Sequence, residues 1–137
     1  MKLFMYSKII ISILFVAAIL LALFHDLAIR LSWYYFYPLI DIPLHILGGF
    51  VIGLFTHIAV RTTKKRPKRR SSPTALLAVM ILTTFFISLG WEVFELVFYL
   101  TNDAGLSLET LSDIIFGIVG AMFAWVVVRL LAKFYKE

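Results

Sequence analysis

The sequence predicts an all-α membrane protein: one domain, residues 1–137, folded as a bundle of four transmembrane helices. Three observations predict it. Of the 137 residues, 62% are hydrophobic and the mean hydropathy is +0.98, whereas soluble domains are roughly 45–50% apolar. The excess is gathered into four blocks, each as long as the roughly 20 residues a helix needs to cross a bilayer. No block alternates apolar and polar residues with the period of two that a barrel strand requires.

The first block spans residues 8–29, KIIISILFVAAILLALFHDLAI. Lys2 and Lys8 give it the charged start of a signal peptide. It has no clear small-x-small cleavage site and its apolar run is long, so it is expected to be retained as a helix. The second block, 37–60, contains DIPLHILGGFVIG; the third, 74–100, ends in GWEVFELVFYL; the fourth, 108–134, opens with LETLSDIIFGIVG. The segment RLSWYYFY joins the first two and reads as an interfacial aromatic belt of Trp33, Tyr34, Tyr35 and Tyr37.

Charge orients the bundle. The net charge is +5, and seven of the thirteen basic residues lie between Arg61 and Arg70. Such a run can mark a nucleic-acid patch. Between two membrane spans it reads instead as a cytoplasmic loop following the positive-inside bias, and no nucleic-acid partner is expected. Lys2 and Lys8 at one terminus and Arg129, Lys133 and Lys136 at the other then fall on the same side. Both termini are expected in the cytoplasm, in a protein integral to the plasma membrane, with the linker TNDAGLS outside. There is no cysteine, which removes disulfides, thiolate metal ligands and cysteine nucleophiles.

On this topology the ionisable residues converge. Asp41 and His45 open the second helix, Glu92 and Glu95 close the third, and Asp113 lies in the first turns of the fourth. At 1.5 Å per residue, His45, Glu92, Glu95 and Asp113 sit roughly 5–12 Å below the outer boundary. Glu92 and Glu95, three apart, share one side of a helix in an otherwise apolar run. The faces agree: Asp41, His45, Gly49 and Gly53 form one stripe, Asp113, Gly117 and Ala121 a second, and Thr84, Ser88, Glu92 and Glu95 a third, with Tyr99 above. Small residues let helices approach closely in lipid, so the acids are expected to point into the bundle. Ionisable residues within a membrane are expensive and mark functional sites by default.

Structural readings stand beside the functional one. His25 and Asp26 can snorkel to the interface, Asp41 can cap its helix, and His57 is expected to be a satisfied interface residue near the cytoplasmic end. The glycines can serve packing alone.

The ordered motifs DIPLHILGG, WEVFE and LETLSDIIFGIVG resemble those of the small YjdF-type membrane proteins within the VanZ-like group. The residues that carry the resemblance are Asp41, His45 and Gly48 or Gly49; Trp91, Glu92 and Glu95; and Thr110, Asp113, Gly117 and Gly120. It covers the second to fourth helices, and this chain is shorter than most YjdF-type proteins, which have extra spans. The resemblance implies action on phospholipid or lipid-carrier head groups.

Three functions suit the residues. In the first, an enzyme acts on a lipid head group at the outer leaflet, as a hydrolase or transferase. His45 is its base or nucleophile, Asp41, Glu92 or Asp113 orients it, one of the paired Glu92 and Glu95 is the general acid, and Arg30 holds phosphate or merely anchors the interface. In the second, His45, Glu92, Glu95 and Asp113 bind zinc, magnesium or manganese, although Glu-x-x-Glu with Asp-x-x-x-His is no specific metal signature. In the third, the chain is a non-enzymatic lipid- or metal-binding module or an assembly subunit. The expected partner is membrane lipid, and a chain this small is open to homo-oligomerisation.

Overall fold

The computed structural model describes residues 2–63, 72–98 and 108–136. The fold is all-α. In chain order it comprises α1 (Lys2–Arg30), the one-turn α2 (Trp33–Phe36), a 3₁₀ turn (Pro38–Ile40), α3 (Asp41–Thr63), α4 (Pro73–Val97) and α5 (Leu108–Lys136). The long helices carry spans of 26, 22, 25 and 28 residues, each apolar enough to cross a membrane. At 1.5 Å per residue these reach roughly 33–42 Å, more than the roughly 30 Å hydrocarbon core. The loop 64–71, the linker 101–107 and Tyr99 lie outside the described residues.

Local chemistry explains the helix starts. Ser72 caps α4: its hydroxyl accepts the Ala75 amide at 3.1 Å, and Pro73 follows at the first helical position, where a missing N–H costs nothing. The second block was expected to be helical from residue 37, yet α3 begins at Asp41. Tyr37 has φ −134° and ψ 77°, off the helical region, and Pro38 starts a separate 3₁₀ turn. Asp41 itself is helical, with φ −68° and ψ −37°. It is therefore the first residue of its helix rather than a cap, and its carboxylate favours the positive end of the helix dipole. The aromatic linker is not extended: it folds as α2, entered through Ser32 in a left-handed conformation at φ 54°. That kink turns the chain at the end of α1.

The centre of the bundle is the pair α3 and α5, flanked by α1 and α4. Glycine makes their approach possible. A Cβ on Gly49 would collide with the Gly117 carbonyl oxygen, and one on Gly120 with the carbonyl oxygen of Ile46. Gly53 packs in the same seam, where a Cβ would stand 2.8 Å from the Ala124 Cβ. In lipid, where no hydrophobic force drives helices together, such backbone proximity supplies the dispersion contact that does.

The apolar core lies toward one end. Tyr6, Ile10, Leu54, Met80, Ala124 and Val128 are all but fully buried together. Phe15, Ile19, Phe86, Phe123 and Phe134 point outward, as lipid-facing residues do. We call the end formed by α2 and the starts of α3 and α5 the acidic end, and the opposite one the basic end.

Candidate metal centre

The acidic end gathers the ionisable residues because three helix ends meet there. Asp41 and His45 are one turn apart on α3, so their side chains stack, with His45 Nε2 3.3 Å from Asp41 Oδ1. Asp113 comes from α5, drawn in by the glycine seam below it, and its Oδ1 lies 3.8 Å from the same Nε2. The His45 and Asp113 side chains are 15% and 14% exposed, while Asp41 is 39% exposed and opens toward the surface. One donor atom from each of the three falls within 4.8 Å of the others. Ligands sharing one ion at about 2.0–2.2 Å stand roughly 3.4 Å apart. The three donors are thus near the spacing of a first coordination shell.

Glu92 stands beside this group. It is buried, 7% exposed, accepts a hydrogen bond from the Thr110 side chain, and lies within electrostatic reach of Asp113 and His45. Glu95 is held differently: the Trp91 side chain donates to it from one turn back. Metal ligation was expected of His45, Glu92, Glu95 and Asp113. Among the described residues Asp41, His45 and Asp113 form a donor set close enough to share one ion, and Glu92 and Glu95 stand beside it. Arg30, expected to hold phosphate, is 72% exposed and pairs with Asp26 at 2.7 Å, one turn away on α1. His25 and Asp26 therefore differ in role, since His25 turns inward.

A residue assigned only to the aromatic belt covers the site. The Tyr34 hydroxyl and His25 Nδ1 are 2.8 Å apart, and the His25 ring meets the edge of Trp91 at 6.2 Å. The Tyr34 phenol is pushed up to about 12, by burial first and then by the Asp41 and Glu95 carboxylates. Tyr34 is therefore neutral at every ordinary pH, near the acidic cluster. No local pattern in the sequence distinguishes it from Tyr35 or Tyr37.

Below Glu92 the polar stripe of α4 continues inward as Ser88, 9% exposed, and Thr84, fully buried. Thr84 Oγ1 has no hydrogen-bond partner among the described residues. A lone buried hydroxyl costs about 1–3 kcal/mol. Thr84→Val, the same shape without the hydroxyl, is expected to leave unfolding in detergent unchanged or raise stability by about 1 kcal/mol. A fall of that size would show that the hydroxyl has a partner.

Compared with family models, curated proteins and solved structures, the chain matches none.

Proposed function

We propose that the chain is a membrane-embedded enzyme that acts on the head group of a phospholipid or lipid carrier at the outer leaflet, with a divalent cation held by Asp41, His45 and Asp113. One observation carries the reading: the three donor atoms from two helices lie within 4.8 Å of one another in a half-buried site. Two carboxylates flanking one imidazole repel each other in a low-dielectric setting, and a divalent cation removes that cost. The imidazole favours zinc or manganese over magnesium, which prefers an all-oxygen shell. When bound, such a cation polarises a phosphoryl oxygen and neutralises charge as the ester bond breaks.

The remaining roles fall to this chain. Glu92 has no place in the donor group and lies next to it, where it can pass a proton to or from the reacting oxygen. The Tyr34 hydroxyl, paired with His25 Nδ1, is placed to help orient a head group that arrives from the bilayer surface. The outer-leaflet assignment follows from the positive-inside bias of the basic loop, and the lipid assignment from the resemblance to the VanZ-like group.

Glu92→Gln tests the reading. It keeps the shape and the acceptor for Thr110 but cannot exchange a proton. Head-group release from phospholipids and polyprenyl phosphates, measured with full-length protein in lipid nanodiscs, is expected to fall about 10²–10⁴-fold, with bound metal unchanged. Metal that stays bound alongside undiminished turnover would sink the enzyme assignment of Glu92. Absence of turnover on every lipid class, with metal still retained, would leave a metal-binding module in which the ion ties α3 to α5.

A further inference from the structure

The basic end holds a second polar cluster, built around a tyrosine that sequence patterning left among apolar residues. Tyr6 of α1 is fully buried. Its hydroxyl lies 3.3 Å from His57 Nε2 of α3 and 3.4 Å from the Val128 carbonyl of α5, to which it can donate. Three helices thus meet on one phenol. Arg61, one turn beyond His57 on α3, lays its guanidinium 4.8 Å above the centre of the same ring. Arg129 follows Val128 in the chain and acts electrostatically on the Tyr6 hydroxyl.

Apart from its contact with Tyr6, this guanidinium has no carboxylate beside it among the described residues. Arg61 Nη1 is buried and has no hydrogen-bond partner among the described residues. Every carboxylate among those residues, namely Asp26, Asp41, Glu92, Glu95, Glu109 and Asp113, belongs to the acidic end. Among the described residues Arg30 is the only basic one there. A guanidinium partly withheld from water is costly, and the cost falls if an anion from outside the chain reaches the part of the group that stays open. The planar fork of arginine matches a phosphate through two parallel hydrogen bonds. Tyr6 fixes that fork from below, by ring stacking, and aims it rather than leaving it to wander as a surface lysine would.

We infer that Tyr6, His57, Arg61 and Arg129 form a phosphate-binding site at the basic end of the bundle, one that takes the phosphodiester of an anionic lipid from the adjoining leaflet. Basic pockets between transmembrane helices hold anionic head groups in this way. The site is separate from the Asp41–His45–Asp113 group, at the other end of α3. Its four residues belong to α1, α3 and α5, so an occupant bridges three of the four spans. The aim of Arg61, rather than the total charge of the neighbouring basic loop, sets the preference.

Native mass spectrometry of the full chain in detergent, titrated with phosphatidylglycerol, with diacylglycerol of the same acyl chains (which lacks the phosphate) or with inorganic phosphate, tests this. Wild type is expected to bind phosphatidylglycerol about tenfold more tightly than diacylglycerol, the value of one well-made hydrogen bond to a charged group. Arg61→Gln is expected to erase that preference. Arg61→Lys keeps the charge, so it guards against a failure to fold, and is expected to lose several-fold because the fork is gone. Replacing the six basic residues of 64–70 by glutamine is expected to leave most of the preference intact. Inorganic phosphate that competes with the lipid identifies the phosphate itself as the bound group. Phosphate that does not compete, with the lipid preference retained, shows that the acyl chains are needed as well. Equal binding of the two lipids by wild type overturns the site. So does an unchanged preference in both Arg61 variants, or its loss on neutralising 64–70 alone.

Discussion

Asp113→Asn is expected to reduce retention of zinc or manganese by about a hundredfold or more. Loss of a supporting hydrogen bond to a metal ligand alone costs 10–100-fold, and here a candidate ligand is itself neutralised. Asn keeps the volume and polarity of Asp113, so the α3–α5 seam beneath it is undisturbed. His45 would retain only Asp41, its neighbour on the same helix at 3.3 Å, and one turn of α3 cannot enclose an ion by itself. Metal analysis of purified protein gives the first measurement. Thermal unfolding with and without chelator gives the second: a ligand that binds only the folded state adds stability in proportion to the logarithm of its saturation. Chelator is expected to lower the unfolding midpoint of wild type and to leave Asp113→Asn unmoved. An equal metal content in both proteins would exclude Asp113 from the donor set. Absence of metal and of any chelator effect in wild type would remove the cation altogether, leaving a proton-sharing cluster of Asp41, His45 and Asp113.

Gly120→Ala is expected to have a large effect on folding. The new Cβ would fall on the Ile46 carbonyl oxygen and 2.7 Å from the Phe50 amide nitrogen. Both are backbone atoms of α3, so no side-chain rotation relieves the clash, and the two central helices must separate. Overpacking against movable side chains costs about 1–3 kcal/mol; against backbone the cost is expected at or above the top of that range. Separation would also carry Asp113 away from His45, so metal retention should fall together with stability. Gly90→Ala is the matched control. A Cβ there meets nothing within 4 Å, and alanine inside a helix is favoured over glycine by roughly 1 kcal/mol. Unfolding in detergent is therefore expected to be easier for Gly120→Ala and unchanged or harder for Gly90→Ala. Equal stability of the two variants would show that the seam is looser than the glycine contacts imply.

The candidate site was partly legible before any coordinates. Asp41 and His45, four apart, had to stack on a helix, and Asp113 above Gly117 had to look along the same seam. Glu92 reads the same way, because a carboxylate in an apolar run must turn inward. That Asp41 stands closest to His45 and Asp113 as a donor group, with the two glutamates beside it, was not legible. It depends on how far α4 is rotated about its axis and on where Thr110 and Trp91 take up the two glutamates. Arg30, read at a helix end as a phosphate holder or an interface anchor, pairs with Asp26 one turn back, a partner that the i,i+4 spacing makes legible.

By itself the sequence determined that this chain is four apolar helices with acids at one end and bases at the other. Both follow from composition and spacing along single helices, where neighbours three or four residues apart must meet. Only the tertiary structure decided that α3 and α5 form the central pair, that Tyr34 covers the acidic end, and that Tyr6 joins His57 at the basic end across 51 residues of chain. These depend on helix rotation and on contacts between distant segments. In lipid such contacts are settled by which small residues let two backbones touch, and periodicity along one helix does not encode its partner.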